Sequence, residues 1–130
     1  MRLRVLSAAS AAVASGCLVF ASTASVSPAS AAPAGGTYAH CPYGYACLYQ
    51  KGDTDGSSTP TTYYHYGAHN LSNVTGNRIF FNNQSGGAVA YLCTGYNGTG
   101  SCFLVKAYTY VNPYNFTPVN SIYLSAKATK

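Results

Sequence analysis

The chain has no tryptophan, one methionine and only two acidic residues, Asp53 and Asp55, among its 130 positions. Charged residues make up 7% of the sequence, whereas about a quarter of a typical soluble domain is charged. The absence of glutamate argues against paired-carboxylate hydrolysis, which needs two flanking carboxyl groups, and against a carboxylate cage for calcium or magnesium. It also argues against a heptad coiled coil, which requires Leu, Glu and Lys in bulk.

The first 31 residues have the features of a secretory signal peptide. Arg2 and Arg4 form a short basic segment, an Ala/Val/Leu-rich run follows over 5–21, and Ala29-Ser30-Ala31 offers small residues for cleavage. A membrane anchor is the alternative, but Ser and Gly interrupt a run that is about as long as the ~20 residues a span needs. We therefore predict a secreted protein with no membrane segment after cleavage. The predicted organisation is a removed leader over 1–31, a loose N-terminus over 32–39, one domain over 40–125 and a frayed end over 126–130.

Four cysteines remain after the leader, namely Cys41, Cys47, Cys93 and Cys102. An even number in an exported chain predicts two disulfides, for which three pairings are possible. Loop entropy favours crossed pairs, worth roughly 4 kcal/mol each, over local pairs, worth roughly 2–3 kcal/mol. Turn-forming residues inside both short intervals favour the local pairs instead, Cys41 with Cys47 around a Pro and a Gly, and Cys93 with Cys102 around the turn Thr94-Gly-Tyr-Asn-Gly-Thr-Gly-Ser101. A zinc site is the remaining alternative, but the gaps do not match the usual C-x₂₋₄-C.

Short runs rich in β-branched and aromatic residues alternate with Gly/Asn/Asp/Ser clusters, and no window has a 3.6-residue apolar stripe. This pattern predicts an all-β antiparallel sandwich or barrel. The predicted strands are Ala46–Gln50, Thr61–Tyr66, Arg78–Asn82, Ala88–Cys93, Cys102–Tyr110 and Ser121–Ser125. The predicted turns between the strands include Gly67–Asn73 and Asn112–Pro118.

The sequence contains a weak internal duplication with an offset of about 42 residues. Tyr49 precedes Gly56 by seven positions, and Tyr91 precedes Gly98 by the same interval. Each half then leads to an Asn-containing closing strand, at 77–81 and at 120–124. We expect each half to form one four-stranded unit and the two halves to pack as sheets.

Two motifs give the duplication a family resemblance. Tyr91-Leu-Cys-Thr-Gly-Tyr96-Asn-Gly98 matches the Y-x₄-Y-x-G signature of the βγ-crystallin Greek key, in which the two aromatics stack and the Gly takes a backbone angle that a side chain would forbid. The segment Cys41-Pro-Tyr-Gly-Tyr-Ala-Cys47-Leu-Tyr49 resembles the opening C-P-x-G-x-x-C-x-Y of a secreted bacterial metalloproteinase-inhibitor family, peptidase inhibitor family 36. The resemblance covers residues 40–124 and implies a βγ-crystallin-like sandwich of two Greek-key motifs braced by disulfides.

This resemblance also implies an inhibitor of thermolysin-like zinc endopeptidases that presents a disulfide-braced loop to an extracellular protease. The reactive bond would follow a cysteine of the second loop, with an apolar residue after it. Cys93 precedes Thr94, and Cys102 precedes Phe103 and Leu104, which suits an apolar pocket better, but both positions remain open. The predicted inhibitory loop therefore includes Cys93, Thr94, Tyr96, Cys102 and Phe103. Calcium binding, common in this fold, is not expected, because neither half keeps the (N/D)-(N/D)-x-x-(S/T)-S segment.

The 13 tyrosines support a different function. Two-residue periodicity puts Tyr64 and Tyr66 on one strand face, and Tyr108 and Tyr110 on another. Buried, these residues would replace the scarce aliphatics in the core, which is the interpretation we favour for most of them. Exposed, they would form a platform for a cell-wall or other polysaccharide. A killer-toxin-like antimicrobial protein of the same fold is a further alternative.

Other functions have little support in the sequence. No HExxH, G-x-S-x-G or glycine-rich phosphate loop occurs, so we predict that the protein is not an enzyme and needs no cofactor. His65 and His69 stand four apart, as metal ligands on a helix would, but Gly67 between them predicts a strand entering a turn. The basic residues are scattered despite a net charge of +5, so no nucleic-acid partner is expected. We expect a monomer.

Overall fold

The computed structural model describes residues 35–129, so the predicted leader lies outside the described residues. The described chain folds into eight strands and one short 3₁₀ turn, Tyr96–Gly98. The strands are β1 (Ala46–Leu48), β2 (Thr61–Tyr63), β3 (Gly67–Asn70), β4 (Asn77–Asn82), β5 (Val89–Cys93), β6 (Cys102–Lys106), β7 (Thr109–Asn115) and β8 (Ser121–Ser125). The all-β prediction is confirmed. Over residues 35–129 no helix is both long and apolar enough to cross a membrane.

The strands form two antiparallel sheets of four, in the orders β2-β1-β4-β7 and β3-β8-β5-β6. The first half of the chain comprises β1–β4 and the second half β5–β8. The third strand of each half is exchanged: β3 lies at the edge of the second-half sheet, and β7 lies at the edge of the first-half sheet. The prediction that each half forms its own sheet is therefore wrong. Because β3 and β7 are exchanged, neither half completes a sheet without the other.

Two strands differ from the sequence-based expectation because their partners are distant. Gly67–Asn70, predicted as a turn, is β3, and it pairs with β8 residue by residue from Gly67–Leu124 to Asn70–Ser121. The predicted strand Cys102–Tyr110 is divided by a turn at Tyr108, whose φ is +59°. The second piece, β7, runs through Pro113 into the predicted turn. Proline is tolerated there because β7 is an edge strand, where a missing N–H leaves no neighbour unpaired.

The side chains alternate between a shared core and two outer clusters. Ala46 and Leu48 of β1 and Ala90 and Leu92 of β5 point between the sheets, where Phe80, Phe116 and Ile122 complete a fully buried cluster. The opposite face of β1 and β4 carries Cys47, Tyr49, Ile79 and Phe81, covered by the Cys41 segment. The opposite face of β5 carries Val89, Tyr91 and Cys93. Burial on both faces explains why these strands lack the clean polar alternation of a half-exposed sheet.

The tyrosines divide between core and surface. Tyr49 and Tyr91 are buried, at 1% and 2% exposure. Half-buried tyrosines pack against the three clusters, namely Tyr45, Tyr63, Tyr110, Tyr114 and Tyr123. The large exposed ones are Tyr38, Tyr43, Tyr64, Tyr66 and Tyr96. Tyr64 and Tyr66 therefore face solvent, whereas Tyr110 lies against the core.

Candidate functional site

The two disulfides have the local pairing that turn chemistry favours, Cys41–Cys47 and Cys93–Cys102. Cys93 ends β5 and Cys102 begins β6, and the two residues lie directly opposite each other with their Cα atoms 4.0 Å apart. The disulfide thus closes the hairpin at the point where the strands separate. The candidate loop comprises residues 93–103, and most of it projects from the end of the hairpin, past the disulfide.

Hydrogen bonds inside the loop fold it back on itself. The Thr94 N–H donates to the Ser101 carbonyl at 2.9 Å, and the Gly95 N–H donates to the Thr99 carbonyl at 2.9 Å. Side chains add to these bonds, because the Thr99 hydroxyl donates to the Tyr96 carbonyl at 2.7 Å and Thr94 Oγ1 accepts from the Ser101 N–H at 3.0 Å. The loop is therefore a compact turn rather than an extended segment.

Residues from other strands also hold the loop. Asn70 of β3 makes two hydrogen bonds with Asn97, accepting from its N–H at 2.7 Å and donating to its Oδ1 at 3.0 Å. Ser121 Oγ of β8 accepts from the Gly98 N–H at 3.0 Å and donates to the Gly95 carbonyl at 2.6 Å. We call these contacts of Asn70 and Ser121 the clamps of the loop. No local sequence pattern reveals them, because the hydrogen-bonded residues are 23, 26 and 27 positions apart in the chain. They make a glycine-rich loop rigid.

The two peptide bonds left open by the sequence differ in their surroundings. The Cys93 carbonyl accepts from the Asn120 N–H at 2.9 Å on the β8 side, and the Thr94 N–H is engaged by Ser101. Both polar groups of the Cys93–Thr94 bond are thus occupied within the domain. Cys93 itself is 0% exposed.

The Cys102–Phe103 bond lies at the outer edge of its sheet. A Cα separation of 4.0 Å identifies Cys93 and Cys102 as a non-hydrogen-bonded pair, so the N–H and C=O of Cys102 point away from β5. The same alternation turns the groups of Leu104 outward and those of Phe103 toward Leu92. Because β6 is the last strand of its sheet, the Cys102 carbonyl faces the edge.

Two aromatic side chains of the predicted inhibitory loop are exposed. Tyr96 is 56% exposed at the tip, and Phe103 is 45% exposed on β6. The Phe103 ring packs against Tyr114 of β7 with 5.1 Å between ring centroids. Phe103 is thus supported from one side and open on the other.

The motif residues of the second half form a packed corner. Tyr91 lies against Tyr123 with 6.3 Å between centroids. Gly98 has φ of +71°, and a Cβ there would lie 2.7 Å from Tyr123 Cδ2. The resemblance implies that Tyr96 stacks with Tyr91 at the corner, but more than half of the Tyr96 surface remains exposed.

Tyr49 and Gly56 form the corresponding corner in the first half, where a hydrogen bond from the Tyr49 hydroxyl holds the ring in place. The Tyr49 hydroxyl donates to the Ala39 carbonyl at 2.7 Å, and the Tyr49 ring covers Gly56, whose φ is +76°. Burial, followed by the charges of Asp53 and Tyr38, raises the pKa of Tyr49 to about 12.

The Asp53 carboxylate organises the turn that contains Gly56. Its Oδ1 accepts from the Gly56 N–H at 2.7 Å and the Asp55 N–H at 3.0 Å, and its Oδ2 accepts from the N–H and hydroxyl of Ser58. These bonds, the Ser58 hydroxyl foremost, hold the pKa of Asp53 well below its usual range. The Asp53 carboxylate therefore stabilises the turn around Gly56.

The two histidines contact each other through the backbone of one and the ring of the other. His69 Nε2 lies 2.7 Å from the His65 carbonyl oxygen, and the His69 ring rests against Tyr63. Among the described residues, no group of three or more His, Cys, Asp or Glu side chains is placed to hold a metal ion. Comparison of the chain with protein-family models, with curated proteins and with solved structures found no match.

Proposed function

We propose that this chain is a secreted, non-catalytic inhibitor of zinc metalloendopeptidases with a βγ-crystallin-like fold, and that it presents the Cys102–Phe103 segment to its target protease. The observation that carries the proposal is the Cys102 carbonyl at a sheet edge, beside a disulfide and an exposed aromatic side chain. Two disulfides suit an oxidising extracellular compartment.

The strand exchange supports the fold assignment. Assigning β1–β4 and β5–β8 to two equivalent motifs converts the order β2-β1-β4-β7 into β6-β5-β8-β3, which is the second sheet. Each motif carries a Tyr and a positive-φ Gly at the same spacing, Tyr49 with Gly56 and Tyr91 with Gly98. Two Greek-key motifs that exchange their third strands account for both features.

The edge position supports strand pairing with a protease. An extended segment can add to another protein by main-chain hydrogen bonds, and the outward groups of Cys102 and Leu104 are available for such bonds. Phe103 would fill an apolar pocket, where burial of its side chain contributes about 1.5–3 kcal/mol. The open coordination position of a catalytic zinc would polarise the Cys102 carbonyl.

The disulfide and the β5–β6 hydrogen bonds explain how the inhibitor would stay bound even if the protease cut its Cys102–Phe103 bond. If the Cys102–Phe103 bond were cut, the disulfide would hold the new carboxyl end to Cys93, and the β5 ladder would hold the new amine opposite Leu92. The two ends would remain adjacent, which favours rejoining over release. A loop already fixed by its own hydrogen bonds also loses little conformational freedom on binding.

The test is inhibition of thermolysin by the protein exported from a host that expresses the full chain. We expect inhibition at or below micromolar concentration, and Phe103→Ala to weaken it about tenfold or more, because one lost Phe contact of this size changes Kd by at least that factor. Tyr66→Ala, which removes a comparably exposed ring outside the Cys93–Cys102 loop, should leave inhibition unchanged.

The position of the reactive bond is tested on the recovered protein. After prolonged incubation and reduction, the nicked chain should yield a fragment that begins at Phe103. A fragment that begins at Thr94 would instead assign the reactive bond to Cys93. No inhibition at micromolar concentration would refute the proposed function altogether.

A further inference from the structure

A cleft of about 420 Å³ opens at the end of the domain where β4 leaves its sheet. Three segments form it: the first disulfide loop contributes Tyr43, the β2–β3 connection contributes Tyr64 to Tyr66, and the β4–β5 connection contributes Gln84 and Ser85. We infer that this cleft binds a neutral carbohydrate.

The walls of the cleft are flat aromatic surfaces open to solvent. Tyr43, Tyr64 and Tyr66 are 46%, 57% and 58% exposed. The face of an aromatic ring is electronegative, and the C–H-bearing face of a sugar ring is complementary to it. Tyrosine also offers a large amphipathic contact area at a small cost in side-chain entropy.

Two of these rings are held in place by contacts with neighbouring rings. Tyr43 stacks on Tyr108 with 6.4 Å between centroids and an interplanar angle of 7°. Tyr64 packs against Tyr45 with 5.0 Å between centroids and against His65 with 5.2 Å. A ligand that stacks on Tyr43 or Tyr64 therefore meets a surface already in place.

Gln84 supplies a polar group that the fold does not use. Its side chain is only 2% exposed, and within residues 35–129 its Oε1 has no hydrogen-bond partner. Of the neighbouring buried amides, Asn82 Nδ2 donates to the Val105 carbonyl at 3.0 Å and Asn83 Nδ2 donates to the Cys41 carbonyl at 3.0 Å. Asn83 Oδ1 also has no partner among the described residues, but Gln84 is the one of the two that lines the cleft. An unsatisfied buried acceptor is costly, and a half-turn of the carboxamide offers either its oxygen or its NH₂ to a ligand hydroxyl.

The chemistry of the lining selects the ligand class. Among residues 35–129, no Asp, Glu, Lys or Arg lines the cleft, and the His65 ring that does line it packs edge-on against Tyr64, so a charged ligand would find no permanent counter-ion there. Several aromatic faces with a few amide and hydroxyl groups suit a molecule that is both apolar on its ring faces and rich in hydroxyls. A neutral polysaccharide has this combination.

The cleft and the proposed inhibitory segment are independent. Gln84 and Ser85 precede β5, whereas the Cys93–Cys102 loop follows it, and the five residues of β5 span about 13 Å. One protein can therefore be tested for both activities with separate variants.

The experiment measures retention of the exported protein on insoluble chitin, cellulose and xylan at high salt, which suppresses retention driven by charge. We expect saturable binding to at least one of these glycans. Tyr64→Ala and Tyr66→Ala should each raise the apparent Kd about tenfold, the effect of one lost stacking contact. Gln84→Leu, which keeps the packing volume and removes the amide, should also weaken binding.

Tyr96→Ala is the matched control, because Tyr96 is as exposed as Tyr64 but lies in the Cys93–Cys102 loop. This variant should bind glycan like the unaltered protein. Absence of retention on all three glycans would overturn the inference, and so would binding that survives both cleft tyrosine substitutions. Thermal unfolding of each variant shows that a lost activity does not come from a lost fold.

Discussion

Replacing Gly98 with alanine tests the corner that joins the second disulfide loop to the sheet. The backbone at Gly98 has φ of +71°, and an added Cβ would lie 2.7 Å from Tyr123 Cδ2 and 3.0 Å from Tyr123 Cγ. The Tyr123 ring cannot simply withdraw, because Tyr91 packs against it. The substitution therefore introduces both backbone strain and a steric clash.

The two costs can be estimated separately. A left-handed backbone costs an alanine about 1–2 kcal/mol. Overpacking a fitted side-chain contact costs about 1–3 kcal/mol more. Gly52 provides the control, since its φ is +83° but a Cβ there would meet no atom within 4 Å. Gly52→Ala should therefore carry only the first cost.

The assay is thermal unfolding followed by tyrosine circular dichroism. In a domain of this size 1 kcal/mol shifts the midpoint by about 4–8 °C, so Gly98→Ala should unfold at least about 4 °C below Gly52→Ala. Equal midpoints for the two variants would refute the clash with Tyr123. A Gly98→Ala variant as stable as the unaltered protein would refute the strain as well.

Two pH effects should follow from the first corner. The folded domain holds the Tyr49 proton up to a pKa of about 12, whereas an unfolded chain releases it near 10, so domain stability should fall as the pH rises between these values. Absorbance at alkaline pH should show a late-titrating tyrosine component, to which Tyr63 also contributes because burial raises its pKa. Tyr49→Phe should reduce this late component, and an unchanged late component in that variant would contradict the assignment. Asp53 has a depressed pKa, so the stability it contributes should be present above about pH 4 and lost as the pH falls below it. Urea midpoints should then depend less on acid pH in Asp53→Asn than in the unaltered protein, and an identical dependence would show that the Ser58 bonds do not stabilise the turn.

Local sequence was sufficient for the features that depend on near neighbours. The pairing Cys41–Cys47 matches the turn chemistry of the five residues between the cysteines. Strands such as Val89–Cys93 and Ser121–Ser125 lie where β-branched and aromatic residues cluster. In both cases the relevant interactions lie within a few residues of one another.

Local sequence was insufficient where a strand depends on a remote partner. Gly67-Ala-His-Asn70 has a composition typical of a turn, and it is a strand because β8 offers it a hydrogen-bonding edge. Tyr108 interrupts the predicted strand Cys102–Tyr110 with a positive φ, and no Gly, Pro, Asn or Asp marks this position.

The candidate sites divide in the same way. The cysteines and the exposed tyrosines are visible in the sequence, but Asn70 and Ser121 become clamps of the second loop only when β3 and β8 lie beside it. Gln84 is one amide among many until the fold buries its Oε1 without a hydrogen-bond partner.

The short strands and the local disulfides of this chain, poor in charge and lacking tryptophan, follow from the order of its residues, because β-propensity, turn chemistry and cysteine spacing are properties of neighbouring residues. The exchange of β3 and β7, the outward orientation of the Cys102 carbonyl and the cleft beside Gln84 arise only in the folded domain. Each of these depends on which surfaces meet across the two sheets, and that is set by packing between residues far apart in the chain.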